Sequence, residues 1–513
     1  YGVTTAPDEV TTVFTTSKTY DQLGRFVSHE TVRAGDSAIL SIYGYTYNQR
    51  SQRAQAQMTD GSYWDYQYDH LGQLTGAAKF SVDGNILPGY QYNYQYDQIG
   101  NRTQASSGGN QFGLNLRDTA YTSNSLNQYT QINNHPYTNI TGQAHKNATV
   151  TVQLDSNQPI LPGSNGATAT DGTLILPTTR IPMSDTSDDA YFNAELQVDI
   201  TSGGGTSGAR TELSATVTGV RNNQGAGNDQ DAIDTKSVTR QIPATVVSPT
   251  YDDDGNITSD DRWTYTWNGE NRLIKLEPKS IYTGDGSQPD TKSLEFKYDS
   301  TGRRIEKRVY SYNTTTQQQD TLESITRFLY DGWLLIAELN KPTDEQSESV
   351  GSPLRTYTHG LDLSGSMQGA GGIAGLLFAH VYDTDTQAQQ VALAYCYDGN
   401  GNVIDLVTVP TPTEIASSVQ SEIVGNYEYS PFGKIIRASG EWAELSPFQF
   451  STKYADKETG QYYYGYRYFD VLNSRWMSCD PAEEAGGLNL YAIHKNNSVE
   501  FADMLGMFEI EFE

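Results

Sequence analysis

Tyr92-Asn93-Tyr94-Gln95-Tyr96-Asp97-Gln98-Ile99-Gly100-Asn101-Arg102 is the stretch that decides how the chain is read. Tyr92, Tyr94 and Tyr96 alternate, and on a strand that spacing puts three large rings on one face. Asp97 follows, a residue whose short carboxylate bonds backbone two residues on, and Gly100 supplies the left-handed position of a tight turn. The chain resumes at once, so the unit reads as strand, turn, strand: a hairpin.

The same form, aromatic-x-Tyr-Asp-x-x-Gly-Arg/Asn-Leu, recurs on both sides of it. Copies begin at Tyr20-Asp21, Tyr66-Gln67-Tyr68-Asp69, Tyr251-Asp252 and Phe296-Lys297-Tyr298-Asp299. Looser copies lie at Tyr330-Asp331-Gly332, at Tyr395-Cys396-Tyr397-Asp398 and at Tyr427-Glu428-Tyr429-Ser430. The period is uneven, about 20 to 30 residues. No unit has enough core to stand alone, so neighbours must stack into one continuous antiparallel sheet. Asp252, Asp254, Gly255, Asn256 and Asp261 imitate a calcium loop, but the first ligand position would fall on Thr250. A repeat turn explains the same residues.

Composition agrees. The 513 residues include 36 Tyr and 47 Gly with 19% charged side chains, which favours strands joined by tight turns. The length suits two or three domains or one long array. No apolar run reaches the roughly 20 residues of a membrane span. A net charge of −28 argues against nucleic acid or anionic lipid as a partner. Cys396 and Cys479 are too few for a disulfide scaffold and leave a single bridge between them open. The seven histidines are scattered, without metal-ligand spacing or a nucleophile elbow, so no cofactor or metal is expected. The chain opens at Tyr1 without a basic or apolar leader, and reads as a piece of something longer.

These units resemble the YD repeats of the Rhs family, which includes toxin-complex C components and teneurins. The resemblance covers about residues 10–132 and 249–513. It implies an all-β fold, a spiralling antiparallel sheet forming part of a hollow shell. The expected division is a repeat sheet over 1–132, an insertion over 133–248, a second repeat sheet over 249–440 and a terminal core over 441–513. In the insertion the Tyr-Asp-Gly pattern stops. Ala148–Leu154, Ala194–Ile200 and Glu212–Thr218 alternate cleanly between loops rich in Gly, Asn and Ser, as in a small β-sandwich. Its sequence shows no convergent polar or aromatic set, and a spacer is its default role.

Leu361–Leu377 is dense in glycine but lacks both phosphate-loop and dinucleotide patterns, so close backbone packing is expected there. The last seventy residues look like the Rhs repeat-associated core, from Thr459-Gly460-Gln461-Tyr462 through Ser474-Arg475-Trp476-Met477-Ser478-Cys479-Asp480-Pro481 to Asp503-Met504-Leu505-Gly506-Met507. That resemblance implies a single-turnover intramolecular aspartic protease that frees a C-terminal effector, usually a toxin. By position the catalytic carboxylates are Asp480 and Asp503, Arg475 supports the first, and the cut falls between Met507 and Phe508. Two acids held close cannot both ionise, so one keeps a proton. The family's Pro and Leu are Met504 and Met507 here, and losing the Pro removes a φ restraint next to the scissile bond. Only six residues follow the cut, and their alternation also suits a strand inside the shell. The implied partners are an effector in cis and the N-terminal remainder of the shell, with a secretion apparatus or a surface glycan or protein beyond them. The implied location is secreted or cell surface. The competing reading is a non-enzymatic surface or adhesion protein with a residual core.

Overall fold

The computed structural model describes residues 2–6, 9–154, 167–168, 174–183, 187–198, 210–225, 230–279, 281–283, 291–343, 349–507 and 509–511. The repeats form two large antiparallel sheets in which most strands lie beside their chain neighbours. The first has eleven strands, running from Phe14–Tyr20 to Tyr129–Asn133 and ending on Val246–Val247. The second has fourteen, from Thr250–Tyr251 to Ile435–Ser439.

The repeat turns share one construction. Asp97 Oδ1 accepts from the backbone N–H of Ile99 (3.0 Å) and of Asn101 (2.8 Å), while Gly100 sits at φ +83°. Asp21, Asp69, Asp252, Asp299 and Asp398 accept the same pair of bonds. The Tyr before the Asp has a second task. Tyr68 Oη donates to Arg53 O (2.8 Å), Tyr96 to Leu74 O (2.9 Å), Tyr298 to Leu273 O (2.6 Å) and Tyr429 to Val403 O (2.8 Å). Each acceptor is the first residue past the preceding repeat's turn, so the hydroxyl ties one hairpin to the one before it. A register shift at the same Tyr, as between Gln67 and Tyr68, twists the strand locally.

The insertion leaves and re-enters the first sheet at one point, where Asn134 N–H donates to Thr245 O at 2.7 Å. It comprises a three-stranded sheet, Tyr137–His145, Asp189–Gln197 and Thr179–Pro182, and a second sheet built on Thr149–Leu154 and Arg210–Arg221. Ile140, Val152, Leu176, Leu196 and Leu213 form its core. Its sequence does not supply every strand, because Ile281–Thr283, from the second repeat region, pairs in parallel with Arg210–Glu212.

Residues 441–507 pack against both large sheets. A four-stranded sheet from Tyr454–Asp456 to Arg475–Trp476 carries Tyr464, Phe469 and Trp476 into a cluster with Leu74 and Tyr94 of the first sheet and Phe432 of the second. Buried cations fix the seams. Arg304 Nη1 meets Asp456 Oδ2 at 2.6 Å with both side chains 1% exposed, inside a box of Phe296, Tyr454 and Tyr463 rings. Burial alone would raise the Asp456 carboxyl, but Arg304 and Lys307 hold it below its ordinary value. Lys79 and Glu428 pair across the two large sheets, and Arg53 of the first sheet donates to Val499 O at 2.6 Å.

Removing one member of a buried ion pair leaves a charge without compensation. Arg304→Met is therefore expected to lower urea stability by roughly 3–5 kcal/mol, while Tyr68→Phe, which removes one hydroxyl bond, costs about 1 kcal/mol. Equal losses in the two variants would contradict this ranking.

Acid should also weaken the fold. His29 is buried against the rings of Tyr43 and Phe26, and burial, with Lys18 nearby, lowers its pKa to about 4. An unfolded histidine takes its proton near 6.5. Between those values the unfolded chain binds more protons, so this contribution falls as pH drops from about 6.5 towards 4. The expected result is a shallower loss of stability over that window in His29→Phe than in the parent chain, measured by urea midpoints at successive pH values. Parallel slopes would remove His29 from the account.

Candidate functional site

Asp503 ends the strand Phe501–Asp503, and its carboxylate folds back over the next turn. Oδ1 accepts from the backbone N–H of Leu505 (3.2 Å), Gly506 (2.6 Å) and Met507 (3.0 Å). Gly506 sits at φ +77° with Arg467 close on its open side, where a side chain would be strained by backbone and neighbour alike. Asp480 stands at a second turn, its Oδ1 accepting from Ala482 N–H at 2.8 Å.

One guanidinium joins the two acids. Arg467 Nη2 lies 2.9 Å from Asp480 Oδ2 and 3.4 Å from Asp503 Oδ2. The Arg467 side chain is 2% exposed and lies 4.2 Å over the Trp476 ring. The nearby guanidinium favours the charged form of Asp503. Burial works the other way at Asp503 and wins there, raising its pKa even though Arg467, the Met507 N–H and Lys453 oppose the shift. The sequence reading expects two acids sharing a proton; the structure instead separates them by an arginine.

The backbone ahead of the expected cut is held on both sides. Lys453 Nζ donates to Met504 O, Tyr466 N–H to Leu505 O (3.0 Å) and Arg467 Nε to Gly506 O. Lys453 is itself buried, which lowers its pKa to about 8 against the pull of Asp503 and Asp362. The glycine-rich segment closes the far side. A Cβ on Gly371 would come within 2.4 Å of Met504 O, so only glycine fits. The N–H groups of Ala370 and Gly372 donate to Asp362 Oδ2, so the chain's own carboxylate occupies them.

Arg475 is placed differently from its expected supporting role. Its guanidinium lies 3.8 Å over Tyr129 and 4.7 Å from the Tyr491 ring, and Nη2 donates to Asn127 O at 2.6 Å. It braces the core against the first sheet, and Arg467 takes the position between the acids. A signal for Arg467 is present in the sequence: an arginine inside a run of aromatics, Tyr462–Phe469, can be buried only beside acidic partners. Met507 is held by Asp503, whereas Phe508 lies outside the described residues. Glu509–Glu511 pairs antiparallel with Phe501–Asp503, so the end of the chain runs beside the strand bearing the second acid. His494 is buried among core residues with Nδ1 2.9 Å from Ser498 Oγ, and burial lowers its pKa to about 3. Cys396 and Cys479 are both free.

No protein-family model matches the chain. A toxin subunit, YenC1 of Yersinia entomophaga, is 27% identical over 256 residues, 49% of this chain and 22% of the relative. The chain is similar in sequence to toxin-complex subunits. The chain is also 25% identical over 261 residues to the tRNA nuclease WapA of Bacillus subtilis, 50% of this chain and 9% of that relative. It thus spans less than a quarter of either relative. The crystal structure of TcdB2-TccC3-Cdc42 aligns with 98% of the chain and 22% of its own, at 16% identity and a TM-score of 0.35.

With Arg467 replaced by Met, two nearly buried acids lose their shared cation, a change expected to cost roughly 3–5 kcal/mol at neutral pH. Asp503, whose carboxyl burial already raises, then binds its proton still more readily in the folded chain, so the variant gains stability relative to the parent on acidification. The Arg467→Met deficit should therefore shrink between pH 7 and pH 5 in urea unfolding. A deficit independent of pH would mean that Arg467 does not neutralise these acids.

Proposed function

We propose that this chain is the C-terminal part of an Rhs-type shell whose core cuts its own backbone after Met507 and releases the polypeptide that follows. The observation that carries this reading is the single guanidinium nitrogen shared by Asp480 and Asp503, with the turn 504–507 clamped against them. Asp503, whose proton affinity burial raises, supplies the proton that leaves with the amide nitrogen of Phe508. Asp480 takes a proton from the attacking water, whose oxygen adds to the Met507 carbonyl carbon. The C–N bond breaks, and the product is a Met507 carboxylate and a free amine.

Arg467 orients both acids and the Gly506 carbonyl, an arrangement in which fixed charges need little reorganisation during reaction. The clamp on Met504, Leu505 and Gly506 also stands in for the φ restraint that proline would give at Met504. The two relatives are of unlike kinds, a toxin subunit and a tRNA nuclease, while each is similar to about half of this chain. That pattern favours a common wall and release element over a common effector. The proposed setting is a secreted or surface-exposed assembly, with an effector in cis and other toxin-complex or shell parts as partners.

A fluorescent reporter fused after Glu513 tests the reading by intact mass. The expected outcome is release of a fragment beginning at Phe508, reduced at least about a thousandfold in rate by Asp480→Asn or Asp503→Asn, a typical scale for loss of an acid–base group. A fusion that stays whole in the parent chain would favour the non-enzymatic surface reading instead.

A further inference from the structure

The junction between the first sheet and the insertion holds a cleft of about 570 Å³, within the range of small-ligand sites. One wall is the hairpin 109–115, which links strands Arg102–Gly108 and Leu116–Ser123 of the repeat sheet. The other is the face of the insertion's strands Tyr137–His145 and Asp189–Gln197, with Thr178 and Thr179 beside them. The convergent set that the insertion's sequence lacks by itself is therefore completed from the repeat wall.

The chemistry of the lining narrows the ligand. Its cation, Arg117, is already committed: Nη2 pairs with Glu195 Oε1 at 2.6 Å, and the guanidinium lies 3.8 Å over the Tyr137 ring. No other cation lines the cleft among the described residues, and the whole chain carries a net charge of −28, so an anionic ligand is disfavoured. Amides dominate what remains, with Gln111, Asn115, Asn193 and Gln197 on the lining. Asn193 is only 8% exposed, and its Oδ1 has no hydrogen-bond partner among the described residues. That oxygen is buried beside Gly89, so the amides open to the cleft are those of Gln111, Asn115 and Gln197. Phe112, at the rim, is 72% exposed.

We infer that this cleft binds a neutral saccharide. Vicinal hydroxyls both donate and accept, matching the planar amides of Gln111, Asn115 and Gln197 on the lining. The C–H face of a sugar ring suits the exposed Phe112 ring, while the neutralised Arg117–Glu195 pair offers fixed polar groups without a net charge. The site is independent of the self-cleavage reading, since none of its residues belongs to the acidic centre.

Saturation-transfer NMR on the full chain with maltotriose, lactose, chitotriose and mannotriose tests the inference, with inorganic pyrophosphate as the anionic competitor. Saturable binding of at least one trisaccharide or disaccharide is expected, weakened about tenfold by Phe112→Ala and by Gln197→Ala. Unchanged melting curves would separate lost binding from lost fold. Phe112→Ala leaves the buried cores untouched because the ring is exposed. The inference is overturned if none of the four sugars binds at millimolar concentration, if the variants bind as the parent does, or if pyrophosphate occupies the site in preference to the sugars.

Discussion

The hydroxyl of the repeat tyrosines Tyr68, Tyr96, Tyr298, Tyr330 and Tyr429, bonded to the carbonyl just beyond the previous turn, is the constraint from which the wall follows. A hairpin alone has a marginal core, and stacking hairpins requires something to set their spacing. The Asp-headed turn fixes the local geometry, and the tyrosine then measures one repeat against the last. Tyr68 to Arg53, Tyr96 to Leu74 and Tyr298 to Leu273 repeat the same connection in both sheets. The rings behind those hydroxyls fill the inner face, which is why the sheets can meet the terminal core through aromatic contacts.

Docking of that core depends on a small number of buried charges. Lys79 with Glu428, Arg304 with Asp456 and Arg53 with Val499 O each join segments hundreds of residues apart in sequence or on separate sheets. Such pairs stabilise little relative to apolar packing, but an uncompensated member is costly, so they penalise wrong registers strongly. The same logic operates at the acidic centre. Asp480 and Asp503 lie 23 positions apart on separate turns, and Arg467 holds both.

Much of this was legible in the sequence, for a physical reason: the turn chemistry is local. Tyr96-Asp97-Gln98-Ile99-Gly100 contains every group its turn uses. The turns headed by asparagine were missed. Asn48, Asn124 and Asn268 accept the same two backbone bonds as Asp97, and Ser51, Asn127 and Asn271 take the left-handed position in place of glycine. An amide oxygen accepts as a carboxylate does, and asparagine tolerates positive φ, so the motif is broader than its most visible copies. Non-local features were harder. The parallel pairing of Ile281–Thr283 with the insertion leaves no local pattern, and the choice between Arg467 and Arg475 depends on which side of the core sheet each faces. The cleft beside Asn193 is likewise shared by two segments, and neither announces it alone.

The central claim is that the turn ending at Met507 is held rigidly by the core, with the carbonyls of Met504, Leu505 and Gly506 and the N–H groups of Leu505, Gly506 and Met507 engaged. Native-state hydrogen exchange of the full chain, read by mass spectrometry on peptides spanning 501–507, tests this most directly. The account predicts that these amides exchange only with the global opening that also exposes the tyrosine-rich strands. Exchange of 505–507 within seconds, while the strands remain protected, would contradict it.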